Sequence, residues 1–176
     1  SLDNVETLIT NGANVHGGEN SDLFYPLVVA AHHGELEIAG ALLTRGATAD
    51  HVTSTKETAM EHAIFHKNLP MVKLLVENCQ DTVTKHICNS LSEGKNIAQA
   101  PLVAAILAVS FPIVRYLCQN GAKTSEPRTG GKYPIHVAVM KSTDLFASMD
   151  DVNNIIRCLV EHGADPNQPD KLYGTT

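Results

Sequence analysis

The chain has 176 residues, 43% of them hydrophobic, with a formal net charge of −6 and a pI near 5.8. That is long enough for one ordinary domain with a sizeable core and too apolar for a disordered segment. The acidic balance argues against a nucleic-acid partner, and the longest apolar run, residues 100–114, is interrupted by Ser110 and Pro112 and is too short to span a membrane.

The first predicted element is a helix whose stripe is Leu2, Val5, Leu8 and Ile9. Next comes PLVVAAHHGELEIAGALLTRGA, from Pro26 to Ala47. Leu27, Ala30 and Ala31 line one face of a short helix that Gly34 stops. Leu36, Ile38, Ala39, Leu42 and Leu43 then form the stripe of a second helix, and Gly46 stands where a helix needs a left-handed C-terminal residue. The same order restarts at Ala59, Pro101 and Pro134, with steps of 33, 42 and 33 residues. In the two middle units Pro70 and Pro112 fall in the first turn of the second helix, where a missing N–H is harmless, and Asn68 and Ser110 are the expected N-caps. A period of this length predicts a helical solenoid, in which each unit is too small to bury its own apolar face.

Two segments exceed the period. Residues 80–99 include Val83, Ile87 and Leu91, spaced for a short extra helix over 81–91 that packs on the outside of the stack. Residues 142–151 carry Leu145, Phe146 and Met149, predicted to lengthen a helix or cap a groove. Loops accept length changes cheaply, so the plainer reading of both is drift. Cys79 replaces the left-handed glycine of the other units, which predicts that the junction after it is the first to open.

Catalytic chemistry finds no foothold. His62 and His66, four apart, are placed to share a helix face as zinc ligands do, but Ala63 follows His62 where a zincin has Glu. Thr129-Gly130-Gly131-Lys132 lacks the spacing of a phosphate loop, and no Ser or Cys sits in a nucleophile elbow. Asp150 and Asp151 suit a helix start better than acid–base work. Cys79, Cys88, Cys118 and Cys158 show no CxxC spacing and read as reduced thiols of an intracellular, cytoplasmic protein. No catalytic residue, cofactor or metal is expected.

PLVVAAHHGELEIAGALLTRGA and YPIHVAV…IIRCLVEHGADPN resemble ankyrin repeats, whose mark is T-P-L-H-x-A followed by G-x-L-E-I-V-x-x-L-L-x-x-G-A-D. Tyr25, Thr58, Ala100 and Tyr133 stand at the motif's Thr. Only His136 keeps its His, replaced elsewhere by Val28, Glu61 and Val103, which is expected to weaken bonding between units. The resemblance implies an all-α solenoid of stacked helix–turn–helix repeats with β-hairpin-like loops. Its expected organisation is a single domain over 1–176. A partial repeat at 1–20 precedes repeats at about 21–53, 54–80, 96–128 and 129–168, and a further repeat starts at 169–176, so that more repeats are expected on both sides. The implied function is a protein–protein interaction module holding a protein or peptide on its concave groove and loop tips. The alternative is a non-catalytic recruiting or regulatory arm of a larger enzyme, channel or secreted effector. The positions implied for the partner are Asp22, Phe24, His32, His33, Glu57, Phe65, His66, Leu107, Lys132, Met140 and Lys141, with Phe65, Leu107 and Met140 as an apolar stripe.

Overall fold

One short backbone device recurs along the chain and joins three of its helix pairs. The computed structural model describes residues 2–17, 25–49, 51–53, 57–78, 101–126, 132–145 and 147–169. Among them all regular structure is helical: α1 (Leu2–Thr10), α2 (Pro26–His33), α3 (Leu36–Thr44), α4 (Ala59–Phe65), α5 (Leu69–Glu77), α6 (Pro101–Leu107), α7 (Phe111–Gln119), α8 (Pro134–Lys141) and α9 (Met149–Glu161). After each of α2, α4 and α6 comes one left-handed residue: Gly34 (φ 73°), Lys67 (φ 51°) and Val109 (φ 49°). The next amide in each case bonds back to the helix, Glu35 N to Ala30 O at 2.9 Å, Asn68 N to Ala63 O at 2.8 Å and Ser110 N to Ala105 O at 3.0 Å. These carbonyls would otherwise be orphaned at the helix end. α3, α7 and α9 close the same way, with Gly46, Gly121 and Gly163 left-handed.

The chain divides into two compact units, Ser1–Lys85 and His86–Thr176. In the first, α2 and α4 pack side by side, α3 packs against α1 and α5, and the pairs α2–α3 and α4–α5 join the two layers. Its core is thin because alanines line it: Ala31, Ala39 and Ala63 are fully buried with Leu27, Ile64, Met71 and Leu75. In the second, α6 packs on α8 and α7 on α9, with α6–α7 and α8–α9 as the paired helices. Leu102, Ile106, Ile113, Leu117, Ile155 and Leu159 fill that core.

Side-chain caps vary by unit. Asn68 accepts from Met71 N at 3.1 Å, as its position predicts. Ser110 occupies the equivalent place without a side-chain cap bond. Glu61, which replaces the motif histidine, closes a capping box within its own unit: Thr58 N donates to its carboxylate at 3.1 Å, and Glu61 N donates to Thr58 Oγ1 at 3.1 Å. The segment 142–151 does lengthen a helix. α9 has 13 residues against 9 in α7, and Ser148 accepts from Asp151 N at 3.4 Å with Asp150 and Asp151 in the first turn. Leu145 beside it is 95% exposed. Phe146, the helix expected over 81–91 and the junction at Cys79 lie outside the described residues.

The two tyrosines at the motif's Thr position do a different job from a small hydroxyl. Both are buried. Tyr25 stacks on His51 at 3.6 Å between centroids, and its Oη lies 3.0 Å from His16 Nδ1. Tyr133 Oη accepts from Gln168 Nε2 at 3.2 Å. His136 completes the second group: Nδ1 accepts from Tyr133 N at 3.3 Å, so Nε2 carries the proton and donates to Gln168 O at 2.8 Å. The motif histidine therefore ties the start of α8 to the loop after α9.

Candidate functional site

The residues expected to meet a partner fall in both units, and each group is built separately. In the first unit they sit where α2 and α4 end side by side. His32 and His33 occupy the last turn of α2, and Phe65 and His66 end α4. Phe65 is 77% exposed, with His66 edge-on to it at 5.2 Å. His32 is the hub of an imidazole cluster, edge-on to His33 at 5.0 Å, His62 at 4.9 Å and His66 at 5.3 Å. Its Nδ1 lies 3.1 Å from His62 Nδ1. His62 Nε2, on the other side of that ring, is 3.6 Å from Glu57 Oε2. Desolvation, then the neighbouring imidazoles of His62, His33 and His66, lower the pKa of His32 against the smaller opposing pull of Glu57. Burial raises that of Glu61, and its bonds to Thr58 offset part of the rise.

Glu57 is held by the loop before α4. Thr53 N donates to Glu57 O at 3.0 Å and Glu57 N to Thr53 Oγ1 at 3.0 Å. On the other side of α2, a cleft of about 440 Å³ opens between α1, α2 and α3. Val5, Val29, Ile38 and Leu42 line it, with His33 and Glu35 at its polar edge.

In the second unit Leu107 is half-buried at the end of α6. Met140, 56% exposed on α8, carries Lys132 Nζ 3.3 Å from its sulfur. Lys141 is paired with Asp144 at 3.1 Å. An apolar spot bordered by two lysines results, one of them already neutralised. Asp22 and Phe24 lie outside the described residues.

Sequence reading missed two groupings, because each joins residues far apart in the chain. His32, His62 and His66 bring one ligand atom each within 4.8 Å of one another, as do Cys118, Cys158 and His162. The second group is poorly prepared for a metal. Burial pushes the Cys118 thiol up to about 12 and raises that of Cys158, whereas a metal needs thiolate. His162 Nδ1 is also taken up by Cys158 O at 2.8 Å. For the histidines, the 33-residue register was an available signal, since it sets His32 level with position 65, between His62 and His66.

Among the described residues no helix is long and apolar enough to cross a membrane. Residues 1–86 match the family described as ankyrin repeats (3 copies), and residues 130–171 match the ankyrin repeat. The chain is 30% identical over 152 residues to ankyrin repeat protein nuc-2 of Neurospora crassa, a match covering 86% of this chain and 13% of that protein. It is 28% identical over 155 residues to the human transient receptor potential cation channel subfamily V member 6, covering 85% of this chain and 20% of the channel subunit. ANK repeat-containing protein nipk-1 of Caenorhabditis elegans is 26% identical over 106 residues, 59% of this chain and 16% of that protein. The chain thus spans no more than a fifth of the length of these relatives. With helix pairs stacked in each unit and the repeat matched at both ends, the chain belongs to the ankyrin repeat family.

Proposed function

We propose that this chain is a non-catalytic protein–protein interaction module. The observation that carries the reading is the exposure of large apolar side chains, Phe65 in one unit and Val139 and Met140 in the other, at the ends of first helices whose other apolar residues are buried. Exposed apolar patches with polar rims mark interfaces, and aromatic anchors supply much of their energy. The partner is a protein segment with apolar anchors, gripped through Phe65, His66, His32 and His33 in the first unit and Leu107, Met140, Lys132 and Lys141 in the second. Glu57 and the loop positions Asp22 and Phe24 complete the surface. The acidic charge disfavours nucleic acid. A reducing, cytoplasmic setting suits the unpaired buried Cys118 and Cys158.

The organisation we propose is one array of repeats at about 21–53, 54–80, 96–128 and 129–168, continued by further repeats on both sides. The cleft between α1, α2 and α3 supports the N-terminal continuation, since a first helix belonging with α1 would lie against α2 as α4 does. The similarity to a channel subunit favours a second reading, in which the array is the recruiting or regulatory arm of a larger protein.

The test is affinity. A partner captured with the chain, identified and purified, is titrated against wild type, Phe65→Ala and Met140→Ala. Each substitution weakens binding by about 1–3 kcal/mol with the helical spectrum unchanged. Unchanged affinity in the folded double variant refutes this surface.

A further inference from the structure

We propose that His32, His62 and His66 form a binding site for a divalent transition metal of the zinc class, with one coordination position left open. The helix register creates it. α2 and α4 pack side by side, so His32 of α2 faces the gap between His62 and His66, which lie one turn apart on α4 and at its end. His32 Nδ1 and His62 Nδ1 are 3.1 Å apart. Zinc–imidazole bonds of about 2.0–2.1 Å in a tetrahedron place adjacent donor nitrogens about 3.3 Å from each other. Two of the ligands thus already stand at coordination spacing. The third ligand atom lies within 4.8 Å, and His66 is an exposed side chain at a helix end, where rotation closes the remaining distance.

The donors are also in a suitable state. A metal takes neutral imidazole through a free ring lone pair. Glu57 sits 3.6 Å from Nε2 of His62, the nitrogen turned away from His32. A carboxylate there favours the proton on Nε2 and leaves the Nδ1 lone pair facing the other ligands, the arrangement by which outer carboxylates orient metal-bound histidines. Three imidazoles without a thiolate suit Zn²⁺, Cu²⁺ or Ni²⁺ and not Ca²⁺ or Mg²⁺. Three protein ligands leave a fourth position to water or to a donor from a bound molecule. This inference stands apart from the interaction surface proposed above, although it shares His32 and His66 with it.

The experiment titrates the 176-residue chain, freed of metal by chelation, with Zn²⁺ by calorimetry and with Co²⁺ by visible absorption. Saturable binding of one Zn²⁺ is expected at this site. Glu57→Gln weakens it roughly 10–100-fold, and His32→Ala and His66→Ala weaken it further. His33→Ala and Cys158→Ser leave it unchanged, and the Co²⁺ complex shows no thiolate charge-transfer band. On the wild-type chain, Zn²⁺ shifts the ring-proton NMR signals of His32, His62 and His66 and not those of His136. That result decides the matter independently of how any variant folds. The proposal is overturned if Zn²⁺ shows no saturable binding, which leaves a plain N–H···N bond between His32 and His62. Binding abolished by Cys158→Ser, or untouched in both histidine variants, overturns it equally.

Discussion

Glycine at position 67 should be more stable than alanine there, and the reasoning rests on three turns of one shape. Gly34, Lys67 and Val109 hold the same left-handed position with φ of 73°, 51° and 49° and the same pattern of returning hydrogen bonds. For a residue with a Cβ that conformation costs about 1–2 kcal/mol. Glycine gives back about 0.4–1 kcal/mol through the greater freedom of its unfolded chain. Lys67→Gly should therefore exceed Lys67→Ala in stability by about 0.5–1 kcal/mol, the alanine variant controlling for whatever the lysine side chain contributes. Gly34→Ala should lose a similar amount. A Cβ there meets Asn68 Nδ2 at 3.4 Å, an ordinary contact, so the loss measures backbone strain and not a clash. Val109→Gly is the poorer test, because Val109 is half-buried and relief of strain trades against lost apolar contact. The assay is urea unfolding followed by far-UV dichroism. With a slope of about 2 kcal/mol per molar urea, the midpoints of Lys67→Gly and Lys67→Ala should differ by about 0.25–0.5 M. A Lys67→Gly variant no more stable than Lys67→Ala would falsify the strain argument, as would a Gly34→Ala variant as stable as wild type.

Three further outcomes follow from particular contacts. His136→Ala removes an acceptor from Tyr133 N and a donor from Gln168 O. It should cost about 1–3 kcal/mol at roughly one net hydrogen bond each and speed hydrogen exchange at the Tyr133 amide while leaving that of Leu117 unchanged; equal exchange at Tyr133 in both proteins refutes the tether. Thr58→Ala opens the capping box of α4 and should lose about 1 kcal/mol, with a Thr58→Ala, Glu61→Ala double variant losing less than the sum of the singles; strict additivity shows the two side chains act apart. Burial raises the Cys118 thiol from about 9 to about 12, so the fold prefers the neutral thiol. That stabilisation is complete below pH 9 and is lost as pH rises from 9 toward 12; mass mapping after iodoacetamide at pH 8 should find Cys118 alkylated only in denaturant, and rapid labelling of the folded chain contradicts the assignment.

What was legible in the sequence is what local chemistry alone decides. The helices are legible because Leu36, Ala39, Leu42 and Leu43 repeat at helical spacing and because Gly46, Gly121 and Gly163 supply the one backbone state that ends them. The fold follows from those signals recurring at a fixed period. The turns at Lys67 and Val109 were not legible as left-handed, since neither residue favours φ > 0. Their geometry is imposed by the helix pairs on either side, and only alignment with Gly34 exposes it. The cap made by Glu61 was missed for a related reason. Reading it as a lost histidine counted the bond it cannot make between units and not the capping box that Thr58, three residues earlier, lets it make within its own.

The site divides along the same line. Phe65 and Met140 are exposed, at the positions late in a first helix that the resemblance to ankyrin repeats implies. The histidine cluster depends instead on two helices meeting in one register, with His32 and His62 thirty residues apart and their rings 4.9 Å apart. A repeat array makes that kind of meeting systematic. Any residue on a first helix faces the position one period later and the flanking positions on the same face of that helix. Chemistry in such a fold is therefore written across repeats, and motif searches along a single stretch pass over it, as the spacing of His62 and His66 shows when His32 is left out.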